Sequence, residues 1–287
     1  MLDPFFSIII TTKNRPEFLK TSIDSVLRQS FQNFEILIVN DGEKLSQNPI
    51  EGFDIKFFDN SGSGICSARN KGMKEAQGKY LIFLDDDEYF EQSHLENLAQ
   101  FYNNNDPQVI LKAGTKLLSE GKYIVEGKFT DSKALLPQIW KYGASMSDYC
   151  FPSEIKNSVS FDEEAKVTND FLFLNMAFCF FPQRFLNLNS VIVPDHPQRI
   201  SYFKFQHPLE YCKAELNVIL NSVSFLCKMK LPQKISLRMQ LTKAWKTTLV
   251  YFTHSIKQSK FLSSMNVLGL CFNTTLRLIE LATLKSS

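Results

Sequence analysis

The chain has 287 residues, 44% of them hydrophobic and 22% charged, a balance that excludes global disorder and collagen-like structure and leaves ample chain for a buried core. Its formal net charge of +2 excludes a chain-wide basic footprint, and we expect no nucleic-acid partner. The small sum hides an asymmetry. Residues 210–287 carry 11 Lys and Arg against Glu210, Glu215 and Glu280, a tail of +8 that leaves −6 for residues 1–209. An acidic body suits metal or sugar, and a basic tail suits something anionic.

The cysteines (66, 150, 179, 212, 227 and 271) form no CxxC pair and stand beside no ligand-spaced histidines. Zinc and disulfide frameworks are poor readings, and buried reduced thiols of a cytoplasmic protein the better one. The opening MLDPFFSIIITTKN lacks a basic stretch ahead of its short apolar run, and nowhere are there 18 uncharged apolar residues. We therefore expect a cytoplasmic chain without a spanning helix.

In chain order, Phe5–Ile10 is a β-branched apolar run of one buried strand, ending in Thr11-Thr12-Lys13-Asn14. Asn14 with Glu17 three residues on, and Pro16 between, predicts a capped helix start. Leu19, Ile23, Val26 and Leu27 then recur at helical spacing. A second strand, Phe34–Val39, stops at Asn40-Asp41-Gly42. A third, Ile55–Phe58, leads through Asn60–Gly64 into a helix over about 65–77, for which Gly78 is a plausible left-handed stop. The fourth strand, Tyr80–Leu84, runs into Asp85-Asp86-Asp87-Glu88, and Ser93 with Glu96 reads as another capping box. Strand, helix, strand, strand, helix, strand, in continuous apolar runs, predicts a Rossmann-like α/β fold with a mostly parallel, covered sheet. Such sheets bind ligands beyond the carboxyl ends of their strands, where Thr11, Thr12, Asn40, Asp41 and Asp85–Asp87 all fall.

Four consecutive acids after an apolar strand are costly without a cation. In extended backbone Asp85 and Asp87 share a side while Asp86 faces away. Two carboxylates on one side suit a hard divalent ion that takes its other ligands from water and a substrate diphosphate. The plainer reading is a solvated acidic turn favoured by the dipole of the next helix.

Two strings, FSIIITTKNRPEFLKTSIDSVLRQSFQNFEILIVNDG and GSGICSARNKGMKEAQGKYLIFLDDDE, resemble the nucleotide-sugar-binding half of family 2 glycosyltransferases. The likeness is strong over residues 5–100, weak from 101 to about 205 and absent beyond. It implies the A-type glycosyltransferase fold, with a catalytic domain over 1–205 (donor half 1–100, acceptor half 101–205) and a basic helical C-terminal extension over 206–287. By resemblance, Thr11, with Thr12 and Asn14 beside it, lies where the first strand end meets the nucleobase. Asp41 matches the acid that reads a uracil edge, and Arg69 the basic residue facing the nucleotide. Asp85 and Asp87 match the ends of the Asp-x-Asp motif, the first toward ribose and the last on Mn²⁺ or Mg²⁺, with Asp86 between them in the donor site. Each has a plainer reading: Thr11 as a strand end, Asp41 as a turn former, Arg69 as a surface ion-pair residue. Lys13 stands where the family often has an aromatic, and Asn40 where it often has Asp. A uridine nucleotide remains the first expectation, with guanosine and thymidine donors as alternatives.

Further on, Gln108–Ala113 and Lys122–Val125 are strand-like. Trp140, Tyr142, Tyr149, Phe151 and Phe161 suit sugar faces and core packing alike. Asp170, in Val167-Thr168-Asn169-Asp170-Phe171, matches the family's general base, with Asn169 in place of the commoner Glu; an ordinary helix cap is the alternative. Asp162, Glu163 and Glu164 are nearby competitors. Val191–Ser201 resembles the strand and loop returning to the donor, which makes His196 a candidate metal ligand and Arg199 a candidate diphosphate contact.

In the tail, Leu241, Trp245, Leu249 and Phe252 recur at helical spacing among lysines. Such a helix suits the inner face of an anionic membrane, a cap on the catalytic domain or a dimer contact. The resulting expectation is an inverting, metal-dependent hexosyltransferase of polysaccharide biosynthesis. It would move sugar from a nucleotide-sugar donor to a glycan or lipid-linked glycan. The alternative is a degenerate binding or scaffold module, against which the intact Asp-x-Asp speaks.

Overall fold

The computed structural model describes residues 3–43, 55–105, 107–119, 122–125, 139, 145–165, 169–196, 214–222 and 273–277. They divide into two compact units: one within 1–135, 144–163 and 180–195, the other within 136–143, 164–179 and 196–287. Arg199, Trp140, Tyr142, Leu241, Trp245, Leu249 and Phe252 lie outside the described residues.

The first unit is a mixed sheet on a parallel core. It opens with β1 (Phe6–Thr12), α1 (Pro16–Leu27), β2 (Phe34–Asn40), β3 (Ile55–Asp59), α2 (Ile65–Glu75) and β4 (Tyr80–Asp85). β5 (Tyr89–Phe90), α3 (His94–Asn104), β6 (Ile110–Ser119), β7 (Lys122–Val125), β8 (Tyr149–Pro152) and β9 (Gln183–Pro194) follow. The spatial order is β3-β2-β1-β4-β8-β6-β9-β5, with β7 paired on β6. β3, β2, β1 and β4 are all parallel, as their apolar runs predict. β8 is antiparallel to β4 and β6, whereas β6 and β9 run parallel through a register shift at Gly114.

The core follows from the runs. Phe6, Ile8 and Ile10 of β1, Ile36 and Ile38 of β2 and Ile82 and Leu84 of β4 are buried in one apolar cluster with Leu19, Ile23 and Val26 of α1. Burying each such side chain is worth roughly 1.5–3 kcal/mol against leaving it in water. Tyr149, Phe151 and Phe161 are likewise buried, with Phe161 edge-on to Phe83. Of the two readings of these aromatics, core packing is the one realised.

Three local expectations give way to longer-range contacts. Pro16 opens α1, but the residue flanking the helix is Arg15, without a side-chain cap. Asn14 instead adopts φ 55° and its Oδ1 accepts the Glu43 N–H at 2.7 Å, tying the end of β1 to the loop after β2. Gly42 permits this, since a Cβ there would stand 2.1 Å from Asn14 Oδ1. Gly78 is not a left-handed stop, because among the described glycines only Gly62 and Gly64 have positive φ. It is required where the chain enters β4 against β1: a Cβ would lie 2.6 Å from Ser7 N and 2.7 Å from Phe6 C. Ser93 flanks α3, but without a side-chain cap, and Glu96 accepts the Ser30 hydroxyl at 2.8 Å rather than closing a box.

In the second unit, α4 (Asn169–Phe180, whose last residue falls in the first) carries Asp170 in its first turn. Phe171, Leu172, Phe173, Leu174, Ala177 and Phe178 of the same helix are buried. Residues 214–222 and 273–277 are helical. Among the described residues, no helix is long and apolar enough to cross a membrane.

Candidate active site

The parallel register puts the strand-end polar residues side by side. Thr11 stands opposite Val39 on one neighbour and Asp85 on the other, and Thr12 opposite Asn40. Asp41 continues from β2, its N–H donating to Thr12 O at 2.8 Å. Thr11, Thr12 and Asp41 are all nearly buried.

Asp41 is held from three directions. Its Oδ1 accepts Asn60 Nδ2 at 2.7 Å and the Gly64 N–H at 2.8 Å, so the loop between β3 and α2 is anchored on it. Its Oδ2 pairs with Lys13 Nζ at 3.3 Å, in the position where an aromatic is more usual. Asp41 is thus more than a turn former.

Arg69 of α2 is 2% exposed, which rules out the surface reading. Its guanidinium lies over the Phe161 ring and donates to Asp85 Oδ1 at 2.8 Å. One residue on, the Asn70 amide exchanges hydrogen bonds with the Phe161 backbone at 2.8 and 2.9 Å and reaches Glu163 Oε1 at 3.0 Å. Glu163 is thereby held by α2.

The acidic segment alternates as its spacing predicts. Asp85 and Asp87 are partly exposed, whereas Asp86 is fully buried, accepting Thr12 Oγ1 at 2.7 Å and a close contact from Arg15 Nη2. Burial lifts the Asp86 carboxyl to about 7, against the pull of Arg15 and Thr12. The geometry makes Asp86 a brace between β1 and β4. Arg15 Nη1 meets Asp87 Oδ2 at 3.0 Å, so one guanidinium spans both acids.

Glu88 completes the group. Its N–H donates to Asp85 O at 3.0 Å, and the Ser22 hydroxyl of α1 contacts the carbonyls of Asp86 at 2.7 Å and Glu88 at 2.6 Å. The resulting tight turn returns Glu88 to the side of Asp85 and Asp87. Among the described residues, these three form a group whose carboxylate oxygens, one from each, lie within 4.8 Å of one another. Burial, then the negative charge of Asp85, raises the Glu88 carboxyl well above its ordinary value, despite a hydrogen bond from Ser147. Its Oε2 is buried without a partner. An all-oxygen group with one unsatisfied buried carboxylate oxygen fits a hard divalent cation.

Sequence reasoning singled out Asp85 and Asp87 but not Arg15, Ser147 or Glu88 as parts of this group. Glu88 was visible as the fourth acid of the run, and Arg15 as the neighbour of Asn14. Ser147, which accepts the Asp85 N–H at 3.1 Å, carries no local signal. Asp170 and His196 belong to the second unit.

The model of the family "Glycosyl transferase family 2" matches residues 7–142. An uncharacterised glycosyltransferase of Rickettsia bellii is 35% identical over 127 residues, 42% of this chain and 18% of the relative. The minor teichoic acid biosynthesis protein GgaB of Bacillus subtilis is 26% identical over 187 residues, 60% of this chain and 21% of that protein. The chain thus spans about a fifth of the length of the first curated relatives it matches. Among solved structures, S. aureus TarS 1–349 in complex with UDP-GlcNAc superposes with a TM-score of 0.62 at 16% identity, covering 96% of this chain and 91% of that one. The fold is the A-type glycosyltransferase fold, and residues 7–142 match the model of glycosyltransferase family 2.

Proposed function

We propose that the chain is an inverting glycosyltransferase that moves a sugar, a hexose in the first instance, from a nucleoside-diphosphate sugar to a hydroxyl of a glycan or lipid-linked glycan. The observation that carries this reading is that Asp41 follows the carboxyl end of β2 while Asp85 and Asp87 lie at that of β4, the two parallel strands that flank β1. The TarS complex supports a UDP-sugar, and the teichoic acid relative supports a polysaccharide acceptor.

In this reading Asp41 accepts the uracil N3–H, with Thr11, Thr12 and Asn14 shaping the base side of the site. Arg69 holds Asp85 toward ribose. Asp87, with His196 as a further candidate ligand, holds Mn²⁺ or Mg²⁺, and Arg199 approaches the diphosphate. The ion supplies Lewis-acid stabilisation for the charge that develops on the diphosphate. Asp170 takes the proton from the acceptor hydroxyl. That oxygen bonds to the anomeric carbon while the bond from this carbon to the diphosphate oxygen breaks. One displacement without a covalent intermediate inverts the configuration. The protein would act in the cytoplasm, at the inner membrane face if the basic tail binds anionic lipid.

A thermal-shift panel of nucleoside diphosphates, with and without Mn²⁺, on the wild type and Asp87→Ala tests the proposal. Stabilisation by UDP that needs the ion and is lost in the variant is the expected result. No shift with any nucleotide overturns the transferase reading and favours a scaffold.

A further inference from the structure

We infer that Glu88 is a third protein ligand of the divalent-cation site, so that this chain captures its ion before any nucleotide arrives. The inference rests on the donor-site reading above and adds a residue that the Asp-x-Asp pattern does not contain.

The argument begins with backbone. Continued alternation after Asp87 would turn residue 88 away from its neighbours. The bond from the Glu88 N–H to Asp85 O, and the clamp of the Ser22 hydroxyl on two carbonyls of the turn, bring it back. The side chain then enters protein: Glu88 is 4% exposed, and a side chain this size could have reached solvent from a surface turn. A buried carboxylate ordinarily has every oxygen paired. Here Ser147 hydrogen-bonds the group while Oε2 has no partner.

The neighbouring cations pair with the other acids and not with Glu88: Arg15 bridges Asp86 and Asp87, Arg69 meets Asp85, and Lys112 meets Asp148, whose negative charge acts on Glu88. Glu88 Oε2 is the oxygen left open to a positive charge, beside two carboxylates that each keep a second oxygen. Ligand oxygens about 2.1 Å from an ion stand about 3 to 4.2 Å apart, so the present separation of at most 4.8 Å needs only a small contraction to close on one.

The third carboxylate changes behaviour. Mg²⁺-type sites commonly rest on one or two carboxylates plus substrate phosphates, which makes ion binding depend on the nucleotide. Three carboxylates let the protein hold the ion with only water completing the shell.

The experiment titrates the full chain with Mn²⁺ alone, following free Mn²⁺ by electron paramagnetic resonance, then repeats with UDP. The variants are Glu88→Gln, Glu88→Asp and Asp87→Asn, with circular dichroism and thermal midpoint as folding controls. Wild type is expected to bind one equivalent without nucleotide. Glu88→Gln should weaken this by about tenfold or more, with Glu88→Asp in between, while retaining binding in the presence of UDP. Should Glu88→Gln misfold, Glu88→Asp carries the test. Wild-type affinity in the folded Glu88 variants, with loss in Asp87→Asn, overturns the role of Glu88 and leaves the donor site standing. Mn²⁺ binding by wild type only with UDP overturns early capture in the same way. No Mn²⁺ binding by wild type, with or without UDP, overturns both the inference and the donor-site reading.

Discussion

The two ends of the parallel sheet bury carboxylates to opposite effect. At the amino end, Glu35 of β2 sits beside Ser7 of β1 and is 8% exposed. Its Oε1 accepts Ser7 Oγ at 2.5 Å and the N–H groups of Gln77 at 2.6 Å and Gly78 at 3.2 Å, while Oε2 accepts Lys56 Nζ at 2.7 Å. Burial alone would raise this carboxyl, but the bonds from Lys56, Ser7 and Gln77 outweigh it and hold it below its ordinary value. At the carboxyl end, Asp86 and Glu88 are raised, and Glu88 keeps an oxygen without a partner. A carboxylate whose acceptor capacity is filled serves the frame. One that is buried and incompletely paired leaves a place for a cation.

The largest effect should come from breaking the open end. Asp87→Ala is expected to cut sugar transfer at least about 100-fold, because ion-assisted leaving-group stabilisation is worth several kcal/mol. The circular dichroism spectrum should remain that of the wild type. A transfer assay with radiolabelled donor measures it, and an activity within threefold of wild type would place the ion elsewhere.

Next in size is a break at the closed end. Gly78→Ala drives a methyl into the backbone of Phe6 and Ser7, which cannot rotate away. The expected loss is about 3 kcal/mol in urea unfolding, the upper end of overpacking costs. Glu35→Gln is milder, because the amide oxygen still accepts from the chain while the charge that pairs with Lys56 is gone. A loss of about 1–2 kcal/mol with turnover unchanged is expected. A fall in turnover without a fall in stability would erase the distinction between the two ends.

What the sequence makes legible follows the same division. Apolar runs such as Phe6–Ile10 and Tyr80–Leu84 leave no local choice but a covered strand, and their polar ends mark the site. Asp85 and Asp87 are readable because alternation is a local rule. Asn14, Gly78 and Glu96 mislead because a cap motif is local whereas their partners are distant: Glu43, the backbone of Phe6 and Ser7, and Ser30. Lys112 and Asp148 form a buried pair at 2.7 Å that the pattern of β6 does not announce. Ser147 and Arg15 join the acidic turn only when β4, α1 and the segment before β8 are brought together.

The finest test compares the pH dependence of stability at the two ends, in EDTA so that protons alone are read. Glu35 has a lowered folded value, so its unfolded form binds more protons on the acid side; its contribution is full above about pH 4.5 and fades as pH falls. Asp86 is the reverse. With a folded value of about 7, the native state holds more protons than the unfolded state between about pH 4 and 7, so its contribution is lost as pH rises through that window. The stability gap between wild type and Glu35→Gln should therefore narrow below pH 4.5. Asp86→Asn, which cannot ionise, should gain on wild type from pH 4 to 7, by a slope below the single-proton limit of about 1.4 kcal/mol per unit. Urea titrations at five pH values measure both slopes. Slopes of the same sign in the two variants would mean that Arg15 satisfies Asp86 as fully as Lys56 and the backbone satisfy Glu35, and the carboxyl end would then be a second closed frame.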